Sequence, residues 1–370
     1  MANTFITIQE IARETLPRLM DNLVFPNLVH RDYSDTFEQN LGDTIQVRKP
    51  VVFEAHEFDP SQGVTAQDLK ESSVPVKLDK LATVDVEITA IQGATNINDL
   101  QRQFLEPAAE ALARKINSDG LKLYQDIPYY GGTAGTTPSS LTDLANVRKG
   151  LNANGVPVSP RYAVWNTDAD AALVTVPAIV NAEKSGSTQA LREGALGRVM
   201  GLDHYMSQAV CSHVTGITAA TAVKVNGAVS AGATSLAIDG SALTGKLVKG
   251  DLLSIKGKTY VVTADTANAS SNAIATVKVY PALEAIADNT DVTLVGSHAA
   301  NLGFHPSAFA FVTRPLVKPS GVESYVTAYN GISLRVVRGY NMTYKREMLS
   351  MDVLYGYKTM YPELAIRYLG

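Results

Sequence analysis

The stretch GSALTGKL at 240–247 is the nearest approach to a nucleotide-binding motif in this chain. A P-loop has Gly, four residues, Gly, Lys and then Ser or Thr, because its amides cradle phosphate oxygens and its hydroxyl holds Mg²⁺. Leu247 stands where that hydroxyl is needed. The stretch also lies between two predicted strands, whereas a P-loop leads into a helix whose first amides face the phosphates. The sequence therefore argues against a phosphate site and predicts turns at Gly240 and Gly245.

A second glycine pattern, at Gly194, Gly197 and Gly201, departs from a dinucleotide-binding fingerprint. That fingerprint is G-x-G-x-x-G between a strand and a helix. Here the glycines are separated by steps of three and then four residues. We expect them to mark turns before a strand at 205–210.

The other residues that could do chemistry are dispersed. The six histidines form neither an i, i+4 pair nor a His/Cys cluster of the kind that binds zinc, and we expect them at the surface or satisfied in the core; they are His30, His56, His204, His213, His298 and His305. Cys211 is the single cysteine, and its strand-like context predicts a buried, inert thiol. Neither G-x-S-x-G nor S-x-x-K occurs where a nucleophile elbow would need it. The sequence thus predicts no catalytic, cofactor-binding or metal-binding residue and no enzyme.

Composition limits the class of protein. A chain of 370 residues, 45% hydrophobic and 18% charged, is globular and long enough for two or three compact units. Its formal net charge of -4 supplies no global basic field for binding nucleic acid by counterion release. The N-terminal segment does not read as a signal peptide, and no apolar run reaches the roughly 18 residues of a membrane span. With one cysteine and hence no internal disulfide, these features favour synthesis in the cytosol and no membrane contact.

The N-terminal segment at 7–24 is predicted to be an amphipathic helix. Its apolar residues recur at helical steps, Thr7 and Glu10 are spaced as a capping box, and Pro17 predicts a bend. The pattern alone leaves two interpretations open. The helix packs either on its own domain or, as an arm, on a neighbouring copy.

A long protruding hairpin is predicted to follow this helix. The segment 42–55 is extended, with Pro50 confining it to an edge or a bend. A polar, turn-rich tip at 54–73 is followed by apolar alternation through 74–88. Such an arm has little core of its own, so it is better satisfied against another subunit than in water.

A long helix is predicted to start at Pro107, which suits a first helical turn. About twenty residues would give a rod near 30 Å long, suited to lie across a sheet. The C-terminal part alternates as strands and carries six tyrosines, for which packing at subunit contacts is favoured over a nucleic-acid surface. They are Tyr340, Tyr344, Tyr355, Tyr357, Tyr361 and Tyr368.

The texture of the sequence changes between about 215 and 299. Ala, Thr, Ser, Gly and Val dominate, and only Tyr260 and Tyr280 are aromatic. Six short strands are predicted, at 222–225, 235–238, 251–255, 259–263, 274–279 and 291–295. With Lys256 and Gly257 closing a tight hairpin, they indicate a small antiparallel barrel or sandwich inserted into a larger domain.

These parts, in this order, resemble the major capsid proteins of tailed phages with the HK97-type fold. The stretches ARETLPRLMDNLVFPNLVHRDY, GDTIQVRKP, FLEPAAEALARKI, GALGRVMGLDHYMSQAV, GDLLSIKGKTYVVT and AFAFVTRPL are similar to coat proteins of short-tailed phages whose subunit carries an inserted β-barrel. The resemblance covers nearly the whole chain. It implies an α+β fold and a subunit that forms pentamers and hexamers of an icosahedral shell in the virion, assembled in the host cytoplasm around phage double-stranded DNA without sequence-specific binding.

By position, the resemblance also implies a division of the chain. The expected regions are an N-terminal arm (1–50), an extended loop (51–80), a peripheral domain with a spine helix (81–127), an axial domain (128–213), an inserted β-barrel (214–299), a return to the axial domain (300–330) and C-terminal peripheral or axial strands (331–370). The implied partners are further copies of the chain, a separate scaffolding protein, a portal protein at one vertex and a decoration protein. The N-terminal segment shows none of the coiled-coil pattern that is fused as scaffold in some relatives, so scaffolding by a separate protein is expected.

Two other functions fit some of the same features. A nanocompartment shell would share the main fold and enclose cargo in place of DNA. A glycan-binding adhesin, from a different class, would explain the Thr-, Ser- and Ala-rich insertion, and it would be monomeric or trimeric.

Overall fold

The computed structural model describes residues 8–31, 44–49, 72–89, 106–181, 183, 186, 189–329, 331–342 and 346–370. The chain divides into two compact units. The first comprises Met1–Leu16, Arg31–Leu105 and Ala310–Met360, and the second comprises Pro17–His30, Glu106–Phe309 and Tyr361–Gly370.

The helices are α1 Ile8–Asp21, α2 Phe25–Leu28, α3 Glu106–Leu121, α4 Leu141–Ala153, α5 Thr167–Val174, α6 Pro177–Val180 and α7 Gln189–Glu193, with 3-10 helices at Lys122–Asp126, Pro306–Ala308 and Pro362–Leu364. The strands before the insertion are β1 Thr44–Lys49, β2 Ser72–Lys77, β3 Lys80–Thr89, β4 Tyr130–Gly132, β5 Tyr162–Trp165, β6 Arg198–Val199, β7 Leu202–Met206 and β8 Ser212–His213. Those in the insertion are β9 Ile217–Ala219, β10 Lys224–Val225, β11 Ser235–Asp239, β12 Thr244–Gly245, β13 Leu252–Ile255, β14 Lys258–Val262, β15 Ala273–Tyr280 and β16 Val292–Leu294. Those after it are β17 His298–Phe304, β18 Phe309–Thr313, β19 Glu323–Tyr329, β20 Ile332–Asn341, β21 Arg346–Thr359 and β22 Ala365–Leu369.

The first unit is organised around β21, which is 14 residues long. β3 pairs along one side of β21 and β20 along the other, β19 lies outside β20, and β18 also joins β21. Residues directly paired across antiparallel strands share a face, so Val336, Met351 and Val84 form one apolar row. Strand alternation therefore gives this sheet one apolar face.

The base of the predicted hairpin arm is present in the first unit. β1 and β2 pair antiparallel, and β2 approaches β21 so closely that a Cβ on Gly356 would lie 2.0 Å from the carbonyl oxygen of Lys77. Only glycine fits at that position. Residues 50–71, which include most of the predicted tip, lie outside the described residues, as does Thr7 of the predicted capping box.

The second unit contains a seven-stranded sheet of order β4-β22-β17-β5-β7-β6, with β8 on β17. The last strand of the chain, β22, lies between β4 and β17, and all five of its residues are buried. Helix α4 covers this sheet through an apolar stripe that packs with Ile366 and Tyr368. Its start is fixed by a capping box in which Ser140 and Asp143 exchange hydrogen bonds.

Each of the six strands predicted in the insertion is present, and they form a sheet of order β10-β11-β15-β14-β13-β16 around its own hydrophobic core. Lys256 and Gly257, with φ of +50° and +77°, close the tight hairpin between β13 and β14 as predicted. The strand ladders form an open path, and its end strands meet only at an isolated bridge between Lys224 and Asp291.

Two predicted element boundaries and the predicted surroundings of Cys211 differ from the structure. α3 has 16 residues instead of about twenty; beyond Gly120 the chain tightens into a 3-10 helix, as expected where a poor helix former ends a helix. The strand predicted at 205–210 is β7, which ends at Met206 and is followed by a turn. Cys211 lies outside any strand and is only half-buried.

Candidate functional site

The P-loop-like stretch forms a turn followed by the short strand β12. Gly245 has a φ of +91°, and a Cβ there would lie 2.2 Å from the carbonyl oxygen of Gly216. The chain continues into β13 and not into a helix. The turn predicted at Gly245 is not observed, because Gly245 ends the short strand β12 at a register shift in its pairing with β9. Gly240 directly precedes a turn at 241–242.

Of the glycines of the second pattern, Gly201 lies in the turn between β6 and β7, as predicted, whereas Gly194 directly follows α7 and Gly197 directly precedes β6. Gly194, Gly197 and Gly201 have φ values of +65°, +65° and +81°, a left-handed backbone that glycine adopts without steric cost. Among the described residues, no group of three or more His, Cys, Asp or Glu side chains could hold a metal ion. Over the same residues, no helix combines the length and the apolar character needed to cross a bilayer.

Arg367 occupies the centre of a buried polar cluster in the second unit. Its guanidinium, on strand β22 between β4 and β17, is fully buried and donates to three backbone carbonyls: Gly250 at 2.8 Å, Tyr124 at 2.6 Å and Ile127 at 3.2 Å. It also stacks over the Tyr124 ring at 4.8 Å. Burial lowers the pKa of Arg367 to about 9, so the side chain is still charged at pH 7. One cation thus joins the end of the α3 segment to the insertion.

The loop around Gly250 is fitted against residues 124–127 in other ways as well. Lys249 Nζ lies 2.9 Å from Asp126 Oδ1. Gly250 has a φ of +97°, and a Cβ on it would lie 2.9 Å from Gln125 Cγ. Leu252 of β13 packs with Leu369 of β22. An ion pair, a close steric fit and an apolar contact therefore all hold the Gly250 loop in the second unit.

A second part of the cluster is a chain of three side chains. Tyr124 Oη lies 3.0 Å from His213 Nδ1, and His213 Nε2 lies 2.8 Å from Asp251 Oδ1. These partners fit an imidazole that donates from Nε2 to the carboxylate and accepts the tyrosine hydroxyl at Nδ1. The other oxygen of Asp251, Oδ2, accepts from the amide of Val248 at 2.7 Å. Asp251 is thus held by both a side chain and the backbone.

His298 completes the cluster on the other side of Arg367. Its Nδ1 donates to the carbonyl of Gly296 at 2.7 Å, which leaves Nε2 to face Arg367 Nη1 at 3.5 Å. Burial is the main cause that lowers the pKa of His298 to about 4, and the neighbouring Arg367 and His213 act in the same direction. A neutral His298 therefore suits this position, and a protonated ring would face the guanidinium.

We call these five residues, Tyr124, His213, Asp251, His298 and Arg367, the polar joint. Tyr–His–Asp chains serve as proton relays when they end at an exposed nucleophile or substrate. Here His213 and Asp251 are each 2% exposed as side chains, and both ends of the chain are held by buried protein groups. The arrangement accordingly positions the insertion and carries no catalytic geometry.

Sequence reasoning located only part of the polar joint. His213 and His298 were expected to be surface or satisfied core residues, and the structure makes them satisfied core residues with ring centroids 5.3 Å apart. Arg367, Asp251 and Tyr124 were not singled out. A signal was present in AIRYL, where an arginine interrupts an apolar strand, because a buried arginine requires several acceptors.

The remaining histidines and tyrosines are distributed as follows. Trp165 Nε1 donates to His204 Nδ1 at 2.9 Å in the core, and His56 lies outside the described residues. Among the C-terminal tyrosines, Tyr355, Tyr357 and Tyr368 are buried, Tyr361 is half-buried, Tyr340 is exposed, and Tyr344 lies outside the described residues. Core packing therefore accounts for three of them, and Tyr340 is available at the surface.

An open cleft of about 400 Å³ lies beside α3. Asn117 supports its wall by accepting from the amides of Val24 and Phe25 and donating to the carbonyl of Asn22. The charged residues that line it, Glu110 and Arg114, are exposed to solvent. Its buried polar side chains, Asn117 and Ser207, are already hydrogen-bonded within the protein, so the cleft does not present the convergent polar groups of a built ligand site.

Comparison with known proteins shows what class of protein this arrangement belongs to. The chain aligns with a solved structure titled Mycobacterium phage Che8 at a TM-score of 0.53 and 16% identity, covering 94% of this chain and 90% of that one. It aligns with the capsid structure of the cyanophage P-SCSP1u at a TM-score of 0.51 and 14% identity, covering 94% and 88%. The α+β fold is therefore that of HK97-like phage capsids.

The sequence comparisons are more specific. The profile of the family described as P22 coat protein, gene protein 5, matches residues 1–246. A major capsid protein of Acyrthosiphon pisum secondary endosymbiont phage 1 is 23% identical over 98% of this chain and 97% of the relative. The chain belongs to the P22 coat protein family. It is thus a tailed-phage major capsid protein, a structural subunit located in the virion capsid, as the resemblance implied.

The titration of His298 gives a prediction for the polar joint. Its folded pKa of about 4 lies below the ordinary value of 6.5, so the unfolded state binds the proton first as the pH falls. His298 therefore opposes folding progressively between about pH 6.5 and pH 4, and stability falls across that window. His298→Gln, which can still accept from Arg367, should flatten this part of the stability curve measured by urea unfolding at stepped pH. An identical slope in the variant and the natural protein would contradict the assignment. His305→Gln is not a suitable control, because His305 is half-buried and burial also lowers its pKa. Asn154→Gln, which does not titrate, serves that purpose.

Proposed function

We propose that copies of this chain assemble as pentamers and hexamers into the closed icosahedral head shell that encloses phage double-stranded DNA. The observation that carries this proposal is the coat-protein family match over residues 1–246. The related capsid folds support assembly of copies into a shell. A role in structure and not in catalysis agrees with a buried polar joint that holds the insertion and exposes no reactive group.

The regions of the chain are proposed to take the roles expected from their positions. Residues 1–50 act as the N-terminal arm, 51–80 as the extended loop and 81–127 as part of the peripheral domain with its spine helix. Residues 128–213 and 300–330 form the axial domain, 331–370 supply the C-terminal strands, and 214–299 is the inserted domain. Arms and loops supply broad, individually weak contacts, which let a growing shell correct errors before it closes.

The proposed partners follow from the same role. A scaffolding protein guides assembly of the procapsid, a portal protein occupies one vertex, and a decoration protein binds the finished shell. DNA is enclosed without sequence-specific contacts. The formal net charge of -4 and a sequence pI near 5.9 support this, because a basic inner wall would hold DNA through its phosphates and hinder packaging.

We also propose that the insertion closes as a small barrel. Backbone hydrogen bonds beside its end strands support closure: Val225 N donates to Thr290 O and Val292 N donates to Val223 O, each at 2.9 Å. Native-state hydrogen exchange tests this directly. In a closed barrel the amides of Val225 and Val292 should exchange as slowly as that of Val262 on β14. Exchange of both at the rate of an unstructured peptide would show that the sheet stays open.

Assembly is tested by purifying the protein alone and together with its scaffolding protein. Sedimentation and negative-stain microscopy then measure the size and closure of the particles. We expect shells of uniform size with scaffold and aberrant shells or free capsomers without it. Uniform closed particles from the lone protein would disprove the need for a separate scaffold. If the protein stays monomeric or trimeric in every condition and binds glycans, the capsid proposal is wrong and an adhesin is favoured. If purified particles contain cargo proteins in place of DNA, a nanocompartment shell is favoured.

A further inference from the structure

Strand β19 forms one edge of the sheet in the first unit. It pairs with β20 over seven residues without a register shift, from Glu323↔Arg338 to Tyr329↔Ile332. In the part of the chain that the structure describes, no strand pairs with its other side. Its residues are half-buried or exposed throughout, and Tyr329 is 63% exposed.

This edge lacks the features that usually keep strand edges from pairing. Natural edges are blunted by Pro, by β-bulges or by lysines and other charges along the strand. The sequence of β19, ESYVTAY, contains no Pro and no Lys, and its single charge is Glu323 at the first position. The strand is regular and rich in β-branched and aromatic residues, which favours pairing with another strand.

The hairpin geometry determines which backbone groups point outward. Two residues separate Tyr329 from Ile332, and the residue pair that closes such a hairpin exchanges both of its hydrogen bonds. Bonded and non-bonded pairs alternate along the ladder. Tyr325 and Thr327 therefore bond inward to β20, whereas Ser324, Val326 and Ala328 direct their N–H and C=O groups away from the sheet.

We propose that β19 pairs antiparallel with β19 of a second copy about a two-fold axis at Val326. In this register Val326 faces Val326 of the second copy, and Ser324 faces Ala328, so all the outward groups meet outward groups. Glu323 faces Tyr329 and not another Glu323, which avoids a like-charge pair. An isologous contact of this kind is self-complementary, as two-fold symmetry requires.

The side chains beside the axis suit this contact. Val326 lies opposite Arg335 on β20, and Arg335 is neutralised by Asp352, with Nε to Oδ2 at 2.9 Å. The positive charge opposite Val326 is therefore neutralised within the same chain. The opposite face of β19 presents Tyr325 and Tyr329, and Lys318 lies over the Tyr325 ring at 5.7 Å. Tyrosines in such positions are favoured at protein contacts because they supply apolar area and a hydrogen-bonding hydroxyl.

This inference rests on the proposed assembly of the chain, and cysteine cross-linking separates the two. In a hydrogen-bonded antiparallel pair the Cα atoms are about 5.5 Å apart, within disulfide reach. Val326→Cys in a Cys211→Ser background should give a disulfide-linked dimer on a non-reducing gel after assembled particles are treated with oxidised glutathione. Thr327→Cys is the matched control, because its counterpart lies diagonally at about 7–8 Å and should not cross-link. Equal cross-linking of both variants, or of neither in intact particles, would overturn the proposal.

A second variant tests the backbone contact. Val326→Pro removes an outward N–H and leaves the ladder to β20 intact, since edge strands tolerate Pro on their open side. We expect its unfolding temperature to stay near that of the natural protein while the yield of sedimenting particles falls on the order of tenfold or more. Thr327→Ala should assemble normally. Undiminished assembly of Val326→Pro would disprove the strand pairing, whereas failure of the unmodified protein to assemble would count against the proposed function instead.

Discussion

The guanidinium of Arg367 is a charge in the protein interior whose acceptors are backbone carbonyls. Burying a cation costs several kcal/mol unless it is hydrogen-bonded, and here Nη1 and Nη2 of Arg367 donate to two segments of the chain that are far from β22 in sequence. Gly250, residues 124–127 and β22 must therefore all be in place together. The position of the insertion within the second unit depends on this condition.

The insertion is otherwise self-sufficient, which explains why a joint is needed. It has its own core, in which Val225, Ile238, Leu253 and Val277 are fully or almost fully buried, and its own tight hairpin. A domain with a complete core can be tolerated inside another at a surface loop. Fixing its orientation requires specific contacts, and the polar joint, the Lys249–Asp126 ion pair and the contact between Leu252 and Leu369 supply them.

Local pattern was sufficient to predict much of the fold. The six strands of the insertion follow from period-two alternation and the turn at Lys256 and Gly257, and α3 follows from its apolar stripe and Pro107. Local sequence pattern does not predict features that depend on contacts between residues distant in sequence. The last strand lies near the centre of a sheet, and the partners of Arg367 come from more than a hundred residues earlier, which no local periodicity encodes.

The same limit applies to function. A missing hydroxyl at Leu247 and wrong glycine spacing argue against two nucleotide-binding interpretations from sequence alone, because those motifs are local. The polar joint was missed because His213, Asp251 and Arg367 are unremarkable singly and acquire meaning only when brought together. The coat-protein family was visible in the sequence only through several stretches taken in order.

The most direct test of this account is hydrogen exchange in Arg367→Met, read at the amides of Gly250 and Val262 and compared with exposed Arg192→Met. Loss of the guanidinium removes the donor to the carbonyls of Gly250 and Ile127, while the Tyr124 carbonyl keeps the amide of Ile127. The expected cost is about 1–3 kcal/mol for each buried carbonyl left unsatisfied. The account predicts faster exchange at both amides, which pair the Gly250 loop with β14, while the amide of Asn226 at the far end of the insertion changes less. Unchanged exchange at Gly250 and Val262, with stability within about 0.5 kcal/mol of the Arg192 control, would contradict it.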